Sequence, residues 1–243
     1  MKTLFLLMAL TVSTALGTQT TPPAFWPNLR AGQKQTVVLY GTSLTAGGAW
    51  AKDLATWFDQ KFPGQVTVIN SGGPGQNSDW GVTNLEKLVL SHHPDCVFLE
   101  FSYNDAHEKF QMPVARGATN LLSMINAIQE QNSASLIVLQ IMNVGWDALN
   151  GNRSASVRPN LTACADNYRR LAQEKNLPLL DHSIAWQQLK EQNPAHFQAL
   201  IPDGSHPTLQ GSREVTWPTV LKWLQASSQQ GPAGGSRHPD DND

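Results

Sequence analysis

Short apolar runs alternate with longer stretches of helical spacing along most of the chain. Residues 37–40 (VVLY), 65–69 (QVTVI), 96–101 (CVFLEF), 135–141 (SLIVLQI) and 177–180 (LPLL) are rich in β-branched and bulky apolar side chains. Near-continuous apolar runs of this length are the pattern of strands buried on both faces. Between them, residues 49–62, 79–91, about 114–131 and about 157–175 read as helices, with Pro159 tolerable in a first helical turn. A further helix follows Asp181, and a last one covers about 208–225. Strands that alternate with helices predict parallel strands joined by crossovers: an α/β fold, a three-layer α/β/α sandwich with a five-stranded parallel sheet. No internal repeat is visible.

This topology gathers particular loops. The segments after Tyr40, Ile69, Phe101 and Ile141 all open at the carboxyl edge of the sheet, where open α/β sheets bind ligands. The first loop belongs to VVLYGTSLTAGG, residues 37–48: a strand stopped by Gly41, a lone Ser43, then a helix. Ser43 can be read as a helix cap or as a nucleophile near a helix amino terminus. The second loop, NSGGPGQNS, carries Gly72, Gly73 and Gly75 after Asn70, and the third carries Asn104. Near the carboxyl end, Asp203 and His206 stand three apart in IPDGSHP, residues 201–207.

Acyl transfer needs a nucleophile, a base, a group that orients the base, and donors for an oxyanion. Asp203 is close enough in sequence to hold one imidazole nitrogen of His206 while the other faces Ser43. An accessible backbone N–H in a Gly-rich loop and the neutral amide of Asn104 suit an oxyanion hole. Each motif alone could be a turn or a cap. Four of them in order, each after a strand or in the last loop, favour one site.

Gross composition narrows the function classes. The chain has 243 residues, 40% hydrophobic and 15% charged, which suits one globular domain with a real core. The net charge is −2 with no basic run, so nucleic acid is not an expected partner. The two cysteines, Cys96 in a strand and Cys164 in a helix, read as buried structural or free thiols. No CxxC, HExxH or Cys/His cluster supports a metal site. Residues 1–17 read as a secretory signal peptide: Lys2, an apolar region over 4–10, and Ala15-Leu16-Gly17 as a cleavage site. That apolar run is diluted by Thr11, Ser13 and Thr14 and falls short of the ~20 residues of a membrane span. The folded domain is expected over 18–225. Its lead-in, residues 18–34, shows no clear period and is anchored by Phe25 and Trp26; residues 226–243 read as a disordered tail. The expected location is therefore secreted or periplasmic.

With these motifs in place, the chain resembles the SGNH/GDSL hydrolase superfamily from about Val37 to His206. Gly41-Thr42-Ser43-Leu44 is similar to its first block, Asn70-Ser71-Gly72-Gly73-Pro74-Gly75 to the second, Ser102-Tyr103-Asn104-Asp105 to the third and Asp203-Gly204-Ser205-His206 to the last. The resemblance implies a flavodoxin-like sheet, ester hydrolysis and no cofactor. It implies Ser43 as nucleophile, Asp203 and His206 as its triad partners, and Gly75, Asn104 and the Ser43 N–H as oxyanion donors. Two positions depart from the pattern. Thr42 stands where Asp is usual, which removes no catalytic part. Ser102 stands where Gly is usual and could narrow the floor of the site or tilt Asn104.

Several other residues invite a role. Asp181 is a rival acid or a cap for the next helix, and His92 and His93 fall at the opposite edge. Asp105 and His107 could support or line the pocket. Trp80 and Trp146 could stack on a sugar ring or cover the core. Asn152-Arg153-Ser154 and Asn160-Leu161-Thr162 match the glycosylation sequon. Export, tryptophans near the site and short polar loops point to a short acyl group, an O-acetyl group on carbohydrate. A lysophospholipase or thioesterase acting on lipid is the main rival. An acetyltransferase or a sugar-binding protein without turnover would keep the same fold.

Overall fold

The computed structural model describes residues 22–229. The five expected strands form one parallel sheet: β1 (Gln35–Gly41), β2 (Val66–Asn70), β3 (Cys96–Glu100), β4 (Leu136–Ile141) and β5 (Leu179–Asp181). Their order is β2-β1-β3-β4-β5. Alternation along the central strands explains the layers. Val37 and Leu39 of β1 face one side with Phe98 and Val138, against the helices Phe25–Arg30, Ala49–Lys61 and Trp217–Gln229. Val38 and Tyr40 face the other side with Val97, Leu99 and Leu139, against Ser78–Leu88, Val114–Gln131 and Leu161–Lys175. Both faces of β1, β3 and β4 are covered, so these strands carry no polar face, while the edge strand β2 leaves Thr67 and Asn70 exposed; the fold is the predicted three-layer α/β/α sandwich. A smaller cluster of Trp186, Phe197, Leu200 and Ile201 packs the helices Ser183–Gln192 and Pro194–Leu200 beyond β5.

Several boundaries move, for local reasons. The helix expected from 157 begins at Leu161. Pro159 biases Arg158 away from helical backbone, and the Arg158 side chain is docked inward on Tyr103 instead. The fifth strand starts at Leu179 rather than 177, although the Pro178 carbonyl still accepts the Leu139 N–H at 2.9 Å. The lead-in is partly helical, and Phe25 and Trp26 are buried as anchors. The last helical stretch is capped by the Thr208 hydroxyl, passes through one π-turn at Ser212–Thr216, and runs to Gln229. It thus extends four residues into the expected tail. The remaining tail and the expected signal peptide lie outside the described residues. Among the described residues, no helix is long and apolar enough to cross a membrane.

Candidate active site

The site is built from the loops that follow β1, β2 and β3, with the segment after Leu200. β1 ends at Gly41, Thr42 is extended, and a single helical turn, Ser43–Ala46, begins at Ser43. The Thr42 hydroxyl accepts the Leu44 N–H at 3.2 Å and donates to Glu100 Oε1 at 2.7 Å. Glu100 Oε2 accepts the Thr42 N–H at 2.7 Å and the Thr45 hydroxyl at 3.2 Å. A fully buried carboxylate at the end of β3 therefore fixes the turn that presents Ser43. Burial pushes the Glu100 carboxyl up to about 7, against the three hydrogen bonds that favour its charged form.

The turn at 201–206 supplies the partners of Ser43. Gly204 adopts φ +85°, and a side chain there would meet the Trp146 and Asn152 carbonyls, so glycine is required. The turn lets Asp203 Oδ1 accept the backbone N–H groups of Ser205 at 2.8 Å and His206 at 2.7 Å. Asp203 Oδ2 meets His206 Nδ1 at 2.7 Å, and Asn152 Nδ2 donates to the same oxygen at 3.2 Å. Partial burial works to raise the Asp203 carboxyl, but the His206 and Ser205 hydrogen bonds outweigh it and hold it below the usual range. His206 Nε2 lies 2.9 Å from Ser43 Oγ. Ser43, His206 and Asp203 thus form a continuous relay, in which the ring can take the hydroxyl proton while the carboxylate holds the other nitrogen.

Asn104 and Gly75 flank the same hydroxyl. They line one chamber with Ser43 and His206, of about 520 Å³. Asn104 Nδ2 donates to the Gln76 carbonyl at 2.7 Å, which holds one amide N–H and leaves the other for the chamber. On the other side of Ser43 lies a chamber of about 310 Å³, lined mainly by Leu44, Trp50, Pro74, Met142 and Pro207. The nucleophile candidate therefore sits between a polar space and an apolar one.

The remaining candidates fall elsewhere or take supporting parts. Asp181 binds Arg169 at 2.7 Å and the Ser183 hydroxyl at the start of the next helix, away from His206. His182 is buried against Gln140, and burial pulls its pKa down to about 4. His92 and His93 are exposed before β3, at the opposite edge. Asp105 is buried and accepts the Ser78 N–H at 2.7 Å, holding the helix that follows the second loop. His107 lines the polar chamber. Trp80 packs on Tyr40 and Phe101, and Trp146 donates to the Ile201 carbonyl at 2.7 Å; both cover core, and neither lines a Ser43 chamber. Ser102 is buried and opens on a separate cavity beside β4, not on either chamber at Ser43. Cys96 and Cys164 are both buried free thiols. Among the described residues, no group of three or more His, Cys, Asp or Glu is placed to hold a metal ion.

Three supporting residues escape a motif search. Glu100 could have been suspected, as the one charge in an otherwise apolar strand. Asn152 shows only a sequon in sequence, yet its amide holds Asp203. Arg158 reaches Asn104 Oδ1 at 3.4 Å and the Tyr103 carbonyl at 2.9 Å from 54 and 55 residues away, and nothing local announces this.

The comparisons with known proteins show the family and the fold. The model of the GDSL-like lipase/acylhydrolase family matches residues 39–214. The chain belongs to that family and is a carboxylic ester hydrolase. It is 27% identical over 203 residues to thioesterase 1/protease 1/lysophospholipase L1 of Escherichia coli strain K12, covering 82% of this chain and 86% of the relative. Among solved structures it resembles the lipase/acylhydrolase from Enterococcus faecalis, with a TM-score of 0.63, 24% identity, and coverage of 81% of this chain and 100% of that one. The acetylxylan esterase Axe2 from Geobacillus stearothermophilus shares the fold at a TM-score of 0.65 and 17% identity, over 79% of this chain and 94% of that one.

Proposed function

We propose that the protein is an exported serine esterase that hydrolyses short-chain acyl esters, with O-acetyl groups on carbohydrate as its substrate class. The observation that carries the reading is the relay from Ser43 Oγ through His206 to Asp203, at 2.9 and 2.7 Å. His206 takes the Ser43 proton as Oγ attacks the ester carbonyl. The oxyanion is held by the N–H groups of Ser43 and Gly75 and by the Asn104 amide. His206 then protonates the leaving alcohol, and water releases the acyl group from Ser43 by the reverse path. The likeness to an acetylxylan esterase supports the acetyl substrate, and the leader-like residues 1–17 support export.

A longer acyl group is the second reading. The apolar chamber beside Ser43 favours it, together with the thioesterase and lysophospholipase relative. Hydrolysis of 4-nitrophenyl acetate, butyrate and octanoate separates the two. Rates that fall with chain length and vanish in Ser43→Ala support the first reading. A maximum at octanoate moves the assignment to lipid esters, and full activity in Ser43→Ala removes the proposed nucleophile.

A further inference from the structure

The polar chamber at Ser43 is walled by Lys109, Arg153, Arg158 and His107, and by no carboxylate. Arg158 is the most informative of these. It is 8% exposed, and its guanidinium carbon lies 4.1 Å from the centre of the Tyr103 ring. Its N–H groups reach the Tyr103 carbonyl at 2.9 Å, the Ser154 carbonyl at 3.4 Å and Asn104 Oδ1 at 3.4 Å. Three neutral acceptors leave two of its five donors over. Among the described residues Arg158 forms no ion pair, and neither Lys109 nor Arg153 forms one. The Lys109 ammonium instead rests 4.6 Å over the Phe110 ring. Asp147, which feels the charge of Arg153, is engaged by the backbone and hydroxyl of Ser156. Glu108 is adjacent to Lys109 in sequence but does not line the chamber.

A buried cation without a counter-charge is costly in the free protein. The cost is relieved when a ligand brings the missing charge. We propose that this wall binds an anionic group on the substrate, a carboxylate or a phosphate, carried on the alcohol side of the scissile ester. The proposal rests on the serine esterase reading. The apolar chamber suits the hydrocarbon of the acyl group, which leaves the cationic chamber for the alcohol. An acidic sugar would supply the carboxylate and a glycerophosphate headgroup the phosphate; the recognising chemistry is the same.

The test uses the full chain with Ser43→Ala, titrated with glucuronate, glycerol 3-phosphate and glucose. The same titrations are made with Ser43→Ala/Lys109→Gln/Arg153→Gln, whose added substitutions are at exposed positions, and with Ser43→Ala/Arg158→Gln, which removes the buried cation. At least one anion should bind about tenfold more tightly than glucose, and each variant should narrow that margin, Arg158→Gln the more. The tighter anion assigns its source. Equal binding of glucose and both anions, or anion binding unchanged in both variants, would overturn the proposal. Binding to Ser43→Ala requires no turnover. Failure here is therefore distinct from failure of the esterase reading, which is read from wild-type hydrolysis of 4-nitrophenyl acetate.

Discussion

Glu100 grips Thr42 through two hydrogen bonds of 2.7 Å, one to its backbone N–H and one to its hydroxyl. The residue before the candidate nucleophile is thus anchored to the neighbouring strand, not merely followed by a turn. Glu100→Gln brings an NH₂ group with two donors where the protonated acid brings one. A buried donor left unmatched costs about 1–3 kcal/mol. The variant should lose roughly that much stability and about tenfold in kcat, with a smaller change in KM. Wild-type turnover in the variant would show that the clamp does not set the position of Ser43.

The same carboxyl makes stability depend on pH. Its ordinary value is 4.5, and burial raises it to about 7 in the folded state. Between those values the unfolded chain has released the proton and the folded chain still holds it. The stabilisation is full below about 4.5 and is lost as pH rises through about 7, by up to about 3 kcal/mol. Urea unfolding of wild type and Glu100→Gln at about pH 5 and about pH 8 isolates this group. The stability advantage of wild type over the variant should shrink at the higher pH. His182, pulled down to about 4, contributes the opposite slope below its ordinary value of 6.5, but to both proteins alike.

Asn104→Ala removes a proposed oxyanion donor and also leaves Arg158 without one of its acceptors. Loss of one such donor costs on the order of 10²–10³ in kcat. The expected result is that drop with little change in KM, measured on 4-nitrophenyl acetate. Near-normal turnover would remove Asn104 from the oxyanion hole.

Gly72→Ala should damage the site through the backbone. A side chain at Gly72 would stand 2.5 Å from the Ala46 nitrogen and 2.8 Å from its Cα, at the end of the turn that begins at Ser43. Overpacking of this kind costs about 1–3 kcal/mol. Thermal unfolding should show the loss and kcat should fall with it. An unchanged melting temperature would mean that the second loop is free to move away from the first.

Both cysteines are free, so a reducing agent has no bond to break among the described residues. The melting temperature should be the same with and without dithiothreitol. A fall of several degrees would indicate a disulfide between Cys96 and Cys164.

The fold was legible because both sheet faces are covered. The central strands then read as apolar runs, and the expected strand starts lie within two residues of the observed ones. Ser43, Gly75 and Asn104 could be grouped because short loops after parallel strands share an edge, and Asp203 with His206 because a carboxylate three residues before an imidazole can reach its ring. What escaped were contacts made across the fold by side chains. Arg158 meets Asn104 only because a proline delays a helix and lets the side chain turn inward. For the tryptophans, the structure takes the second of the two expected alternatives, cover for the core. Trp80 and Trp146 lie near the site in sequence, but Trp80 packs on Tyr40 and Phe101 and Trp146 on the cluster beyond β5. The apolar chamber likewise depends on Trp50 and Pro207 meeting from distant parts of the chain.

Asp203 and His206 sit on one tight turn, and His206 follows the hydroxyl it touches by 163 residues. On the proposed assignment, a growing polypeptide carries Ser43 without its partners until residues 203–206 have been made and packed against it.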